Sequence, residues 1–221
     1  MTIDQSISEY KTFFGEKFYN TSPYFISNNI DPDSYMTRLA DRVKKPYDVY
    51  PAAFTNKRVL DIGASSGDQS FILSTMGNSV TSFDLNEAVI PNLTETVPAG
   101  VIVLDNIVGV KENSYDTVFC SAVITQQANP YVWFESLFDI DFKTLVLIYF
   151  DGYTIPNNKN GLKWWSPDVL GETTSLIEKA SLLEVCSRLG LNVIESELNW
   201  QENVAIEGIE YIQTALIVEK P

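Results

Sequence analysis

From Arg58 onward the chain alternates short, almost continuously apolar runs with segments of helix length. The runs are Arg58-Val59-Leu60-Asp61-Ile62, Ser79-Val80-Thr81-Ser82-Phe83, Val101-Ile102-Val103-Leu104, Thr117-Val118-Phe119-Cys120, and Thr144 to Phe150. A strand that is apolar on successive residues, rather than on alternate ones, suits burial on both faces. Its alternation with helices predicts an α/β fold with a mostly parallel sheet and helices on both faces. Late in the chain Leu176, Ala180, Leu183 and Cys186 or Ser187 recur at helical spacing, with Thr173/Thr174 as cap and Gly190 as stop. Asn192 to Ser196 and Tyr211 to Glu219 then read as strands, with a turn at Glu207-Gly208. Two strands in succession with no helix between them imply an antiparallel pair.

Residues 1–55 break this rhythm. Tyr10, Phe13, Phe14, Phe18, Tyr19, Tyr24, Phe25, Tyr35, Tyr47 and Tyr50 crowd a stretch rich in Asn, Ser and Pro. We read it as a mostly helical, aromatic-rich N-terminal layer that packs on the sheet or lids it, preceding a domain over residues 56–221. Residues 151–172 form an insert after the fifth strand, and Trp164-Trp165 within it argues for an ordered, functional segment.

Composition removes several function classes. Against 29 Asp and Glu stand 15 Lys and Arg, a formal net charge of −14. That balance repels a phosphate backbone, which disfavours nucleic acid and anionic membranes as partners. The longest apolar run, Leu145 to Phe150, is far short of the ~18 residues of a transmembrane helix. Met1-Thr2-Ile3-Asp4 lacks a basic start followed by an apolar stretch, so a cytoplasmic location is expected. The chain contains no histidine, which excludes Ser-His-Asp and Cys-His devices and imidazole-rich zinc sites. Its two cysteines, Cys120 and Cys186, have no metal-ligand spacing and read as reduced, buried thiols.

The chemistry concentrates after the first strand, where Asp61-Ile62-Gly63-Ala64-Ser65-Ser66-Gly67 leads into a helix. Gly63 and Gly67 permit a tight turn and close approach of main-chain N–H groups to a ligand. Asp84, about 20 residues further on, ends the second strand, where a carboxylate can accept both hydroxyl protons of a ribose. Gly63-Ala64-Ser65-Ser66-Gly67 imitates the glycine loop of short-chain NAD(P) dehydrogenases. That reading lacks a third glycine, since Gln69 takes its place, and the chain has no Tyr-x-x-x-Lys pair.

With Asp61 included, the stretch resembles the class I S-adenosylmethionine-dependent methyltransferase family, whose first strand ends in an acid followed by a Gly-x-Gly-x-Gly turn. Ser65 replaces the middle glycine. Further similarities run in the family's order over residues 56–221. Asp84 and the following Leu85 match the ribose-binding acid and its neighbour, and Asp105-Asn106-Ile107 matches the adenine-binding segment. Tyr115 to Val123, containing Ser121, looks like the fourth motif. The resemblance implies a Rossmann-like, seven-stranded, mostly parallel sheet with an antiparallel last strand. It also implies S-adenosyl-L-methionine as cofactor, held by Asp61, Gly63, Ala64, Ser65, Gly67, Asp84, Leu85, Asp105, Asn106 and Ser121. Arg38, with Tyr35, is expected to reach the cofactor's amino-acid end from the N-terminal layer.

Where many family members carry Glu-His after the fourth strand, this chain has Thr125-Gln126. The expected activity is methyl transfer by in-line displacement to a small-molecule acceptor. Asp151, Tyr149, Tyr153 and Gln126 are the candidate bases or orienting groups, of which Asp151 can accept a proton and Gln126 can only orient. A non-catalytic S-adenosyl-ligand binder is the competing class. Lys163-Trp164-Trp165-Ser166-Pro167 is similar to a segment of enzymes that modify tRNA wobble uridine, a reading the acidic composition disfavours. Asn129-Pro130-Tyr131 is similar to an amino-methyltransferase motif but is explained more simply as a helix N-cap with proline at the first helical position.

Overall fold

The computed structural model describes residues 1–20, 22–27, 31–98, 101–104, 106–150, 177–204 and 209–221. The chain divides into two compact units, Met1–Phe119 and Cys120–Pro221.

The first unit opens with helix α1 (Ile3–Phe14), started by a reciprocal cap. The Gln5 N–H donates to the Thr2 hydroxyl, and the Thr2 N–H donates to Gln5 Oε1 at 2.9 Å, satisfying two donors that a helix start leaves open. A single π turn, Gly15–Tyr19, continues from α1. Two helices follow, α2 (Pro23–Ser27) and α3 (Pro32–Val49). Asp31 caps α3 by accepting from the Ser34 N–H at 3.0 Å, and Pro32 sits in the first turn, where its missing donor costs nothing. The described residues before Arg58 are therefore mostly helical.

The aromatic crowding has a packing cause. Phe13 stacks on Phe71 of helix α4 (Asp68–Thr75) with ring centroids 5.1 Å apart, and Phe14 meets the same ring edge-on at 5.7 Å. Tyr10 and Phe14 are fully buried. Burial of such rings is a large hydrophobic contribution.

Strand β1 (Arg58–Ile62) leads to α4. Strand β2 (Ser79–Phe83), helix α5 (Ile90–Thr96), strand β3 (Ile102–Leu104) and helix α6 (Ile107–Lys111) follow. β1 and β2 pair in parallel from Arg58↔Ser79 to Ile62↔Phe83, and β2 pairs with β3 from Thr81↔Ile102 to Phe83↔Leu104. Strand β4 (Ser114–Ser121) runs through the division between the units.

The second unit contains helix α7 (Pro130–Ser136), strand β5 (Asp141–Phe150), helix α8 (Lys179–Arg188) and strands β6 (Asn192–Val204) and β7 (Ile209–Glu219). Asn129 Oδ1 accepts from the Val132 N–H at 3.3 Å and Pro130 opens α7, so Asn129-Pro130 serves as a helix cap. β7 is antiparallel to both β5 and β6. The sheet has seven strands in the order β3-β2-β1-β4-β5-β7-β6, mostly parallel and with its last strand reversed.

The bounds of β1 and β2 coincide with the apolar runs, whereas β4 and β5 begin three residues earlier, at Ser114 and Asp141. Their extra residues alternate polar and apolar, a pattern that a search for continuous runs does not register. β6 extends to Val204 and is interrupted by register shifts between Val193 and Glu195 and between Glu195 and Leu198. α8 starts at Lys179 with Glu178 at its cap position, and ends at a left-handed Gly190 (φ +67°), as expected. The proposed cap Thr173/Thr174, Leu176, the insert 151–172 and the turn at Glu207-Gly208 lie outside the described residues. Cys120 and Cys186 are buried and not joined in a disulfide, and burial pushes the Cys186 thiol up to about 11. Among the described residues no helix is long and apolar enough to cross a membrane.

Candidate functional site

The turn after β1 is stitched to the end of β2. The N–H groups of Gly63 and Ala64 both donate to the Phe83 carbonyl, at 2.8 and 3.1 Å. Ser65 follows in the left-handed region (φ +48°), and its N–H donates to Asp84 Oδ2 at 2.9 Å. Gly67 (φ +86°) donates to the Ala64 carbonyl at 2.8 Å and starts α4. A Cβ on Gly67 would lie 2.8 Å from Thr96 Oγ1 and 3.0 Å from Leu93 Cδ1, so this glycine is required by the approach of α5 as well as by its dihedral angle. Thr96 in turn donates to the Ser66 carbonyl at 2.6 Å.

Asp84 is thereby oriented from two sides, because its Oδ1 accepts from the Asn86 N–H at 2.9 Å. A carboxylate offers about four lone-pair sites. Two are occupied, and the half-buried group keeps acceptor capacity for the two hydroxyls of a ribose. Leu85, next in sequence, is 73% exposed, and Ile107 is also exposed. Exposed apolar side chains of this kind can cover the faces of a planar ring. Asn106 caps α6 by accepting from the Gly109 N–H at 2.8 Å. Asp105 lies outside the described residues.

Asp61 is placed differently from the crevice-lining position expected of it. It is 2% exposed. The Ser70 hydroxyl donates to Asp61 Oδ2 at 2.5 Å, and the Ser70 and Ser82 hydroxyls are 2.6 Å apart. The acid therefore ties α4 to β1 and β2 instead of facing ligand. Burial raises its pKa to about 7, with the neighbouring charges of Asp84 and Asp68 adding to the shift and the Ser70 bond opposing it.

A second buried acid, Asp68, 2% exposed, carries no motif in the sequence. Its Oδ1 accepts from the Tyr10 hydroxyl at 2.6 Å and the Tyr19 hydroxyl at 2.7 Å, and its Oδ2 accepts from Ser66. Burial raises the Asp68 pKa against these three hydrogen bonds, and burial beside Asp68 raises both phenols. Tyr19 also packs against Tyr35, centroid to centroid at 5.2 Å, and the Arg38 guanidinium lies 4.6 Å over the Tyr35 ring. Arg38 thus joins the N-terminus of α4 through two aromatic rings. The only sequence sign of this cluster is an acid in the first turn after Gly67.

In the second unit, Ser121 ends β4, half-buried, and is followed by Ala122 in a left-handed conformation (φ +61°). The Ala122 N–H donates to the Ile148 carbonyl at 2.9 Å. Gln126 is exposed at the end of a 3-10 turn, Ile124–Gln126. Tyr149 in β5 is 1% exposed. Asp151 lies outside the described residues.

The glycine turn discriminates between cofactors. A pyrophosphate at a helix N-terminus needs unengaged N–H donors. Here those of Gly63, Ala64, Ser65 and Gly67 are all used internally, and the Asp84 carboxylate lies against the turn. That arrangement opposes a dinucleotide and suits a cationic adenosine derivative. Among the described residues no cluster of three potential ligands could hold a metal.

The profile of a family described as Methyltransferase domain matches residues 33–196, and the chain belongs to that family. It is a class I S-adenosylmethionine-dependent methyltransferase, and S-adenosyl-L-methionine is its cofactor. No curated relative matches the sequence. The fold is similar to that of magnesium protoporphyrin IX methyltransferase from Synechocystis with bound S-adenosylmethionine: TM-score 0.62 at 12% identity, covering 98% of this chain and 97% of that one. It is also similar to a cyclopropane-fatty-acyl-phospholipid synthase-like protein from Lactobacillus casei: TM-score 0.61, 10% identity, 86% and 93% covered. A third similar structure is an S-adenosylmethionine-dependent methyltransferase from Mesorhizobium loti: TM-score 0.58, 13% identity, 77% and 97% covered.

Proposed function

We propose that the enzyme methylates a small-molecule acceptor by in-line displacement. When bound, S-adenosylmethionine supplies an electrophilic methyl group on a sulfonium. Asp84 takes the ribose hydroxyls, Leu85 and Ile107 flank the adenine, and Asp105 with Asn106 reads its edge. The turn Gly63–Gly67, Ser121 and Arg38 address the amino-acid end. Asp61 fixes the turn from behind. The observation that carries this reading is the doubly oriented carboxylate of Asp84 beside an exposed Leu85.

A small-molecule acceptor is supported by the net charge of −14, which opposes a polyanionic substrate. Displacement at a methyl carbon depends on approach and alignment, so holding the two reactants supplies much of the rate. A hydroxyl acceptor also needs its proton removed. Asp151 is the base we assign and Gln126 the group that orients the acceptor, while Tyr149, 1% exposed and opposite Thr214, packs within the sheet. A carboxylate or an electron-rich carbon needs no base, and a chain without histidine favours such acceptors. Residues 1–55 act as a lid over the domain formed by residues 56–221, and the insert 151–172 shapes the acceptor pocket. We place the enzyme in the cytoplasm.

Radiolabelled S-adenosylmethionine incubated with the protein and a fractionated metabolite pool tests the proposal. Label appearing in a low-molecular-weight product supports it. Label confined to RNA or protein contradicts it. Saturable cofactor binding with no transfer marks a non-catalytic binder. Unchanged turnover in Asp151→Asn removes Asp151 as base.

A further inference from the structure

Among the described residues, three polar atoms on the second unit's outer strands have no hydrogen-bonding partner: both amide atoms of Gln213 and the indole Nε1 of Trp200. Gln213 is 0% exposed. The two residues stand directly opposite each other across β6 and β7, and Gln213 is also opposite Phe150, the last residue of β5. Direct cross-strand partners share a face with Cβ atoms about 5 Å apart. The three positions thus form one row at the carboxyl end of β5, the end of such a sheet where ligands are bound.

The adjacent row on the opposite face behaves differently. Thr214 is equally buried, but its hydroxyl donates to Asn199 Oδ1 at 2.7 Å, so that polar pair closes on itself. A buried amide left open loses its hydration without compensation. Such groups are rare in native proteins and point to a ligand or an ordered water.

We infer that Gln213 and Trp200 form a subsite for the methyl acceptor that takes an uncharged group with a carbonyl oxygen beside an N–H or O–H. The donor count leads to this class. Gln213 Nε2 and Trp200 Nε1 offer donors to a carbonyl oxygen, and Gln213 Oε1 accepts from the neighbouring N–H or O–H. Among the described residues of this unit, an anionic group would lack a counter-charge. Lys179 is paired with Glu197 at 2.7 Å and Arg188 with Glu135, while Lys220 binds the Phe138 and Ile140 carbonyls next to Lys143, near the other end of β5. The inference deepens the small-molecule reading and rests on the acceptor lying at this edge.

Saturation-transfer NMR of the full-length protein with S-adenosylhomocysteine tests it, using 2-pyridone and succinimide as probes and their N-methyl derivatives as controls. The subsite predicts transfer to the N–H probes and at least tenfold weaker binding of the N-methyl forms. Gln213→Leu should weaken the N–H probes at least tenfold and Trp200→Phe severalfold. Gln213→Leu should melt no lower than the wild type, because it removes an unpartnered buried amide. Equal binding of the N-methyl forms, equal binding by Gln213→Leu, or no probe binding by the wild type overturns the inference. So does a crystal structure with ordered waters on all three atoms that probes at high concentration fail to displace. Probe binding with no low-molecular-weight methylated product would support the subsite and contradict the small-molecule transfer reading, so the two failures are distinguishable.

Discussion

The Tyr10 hydroxyl donates to Asp68 Oδ1 at 2.6 Å, joining the first helix to the helix that follows the glycine turn across 58 positions of sequence. Tyr19 reaches the same oxygen from the π turn at 2.7 Å. A π turn inside an α-helical run is uncommon and is often found at functional positions. Here it brings Tyr19 to the same carboxylate as Tyr10. The N-terminal layer and the turn are therefore one hydrogen-bonded structure.

Removing either donor should be costly. Tyr10→Phe and Tyr19→Phe each take a hydrogen bond from a buried carboxylate, a loss of roughly 1.5–3 kcal/mol. For a chain of this size that corresponds to a fall in Tm of roughly 3–12 °C. Thermal unfolding of the two variants and the double variant checks this, and melting within a degree of the wild type would contradict it.

Stability should also depend on pH through Asp61. Its folded pKa of about 7 lies above the ordinary 3.8, so the folded state holds a proton that the unfolded state has released between those values. The contribution is fully present below pH ~4 and is lost as pH rises through 7. Its full size is roughly 4 kcal/mol. Asp68 shifts in the same direction. Asp61→Asn keeps an acceptor for Ser70 but cannot ionise, and its denaturation midpoint should fall less than the wild type's between pH 4.5 and 7.5. Parallel pH profiles would rule this out.

The glycine turn makes a prediction at two positions. Ser65 holds a left-handed angle that disfavours a side chain, so Ser65→Gly should stabilise the fold by about 0.5–1 kcal/mol after the added flexibility of glycine is counted. Gly67→Ala combines a disfavoured angle with a Cβ 2.8 Å from Thr96 Oγ1 and should cost about 2–3 kcal/mol. Urea denaturation of both variants checks the opposite signs.

Legibility from sequence followed the range of the interactions. β1 and β2 were readable residue by residue, because burial on both faces leaves a continuous apolar signature. The antiparallel pairing of β6 with β7 was readable from two strand patterns lacking a helix between them, whereas the reversal of the last strand against the rest of the sheet is what the family resemblance implied. The turn and Asp84 were readable because a strand, a glycine corner and an acid at fixed spacing form a local pattern. Asp68 was not, since Tyr10 and Tyr19 are remote in sequence and nothing local marks a phenol as a partner for an acid. Asp61 was found for its position, but its burial against Ser70 and Ser82 depends on how α4 packs on β2. The orphaned amide of Gln213 depends on strand register, which composition does not encode.

Asp84 tests the whole account most directly. Calorimetric titration of the wild type with S-adenosylmethionine and with NAD should show saturable binding of the first only. Asp84→Ala should weaken that binding roughly 10–100-fold, as expected for lost charge-assisted bonds to hydroxyls, while leaving the fold intact by circular dichroism. Unchanged affinity in Asp84→Ala, or preferential binding of NAD by the wild type, would contradict the account.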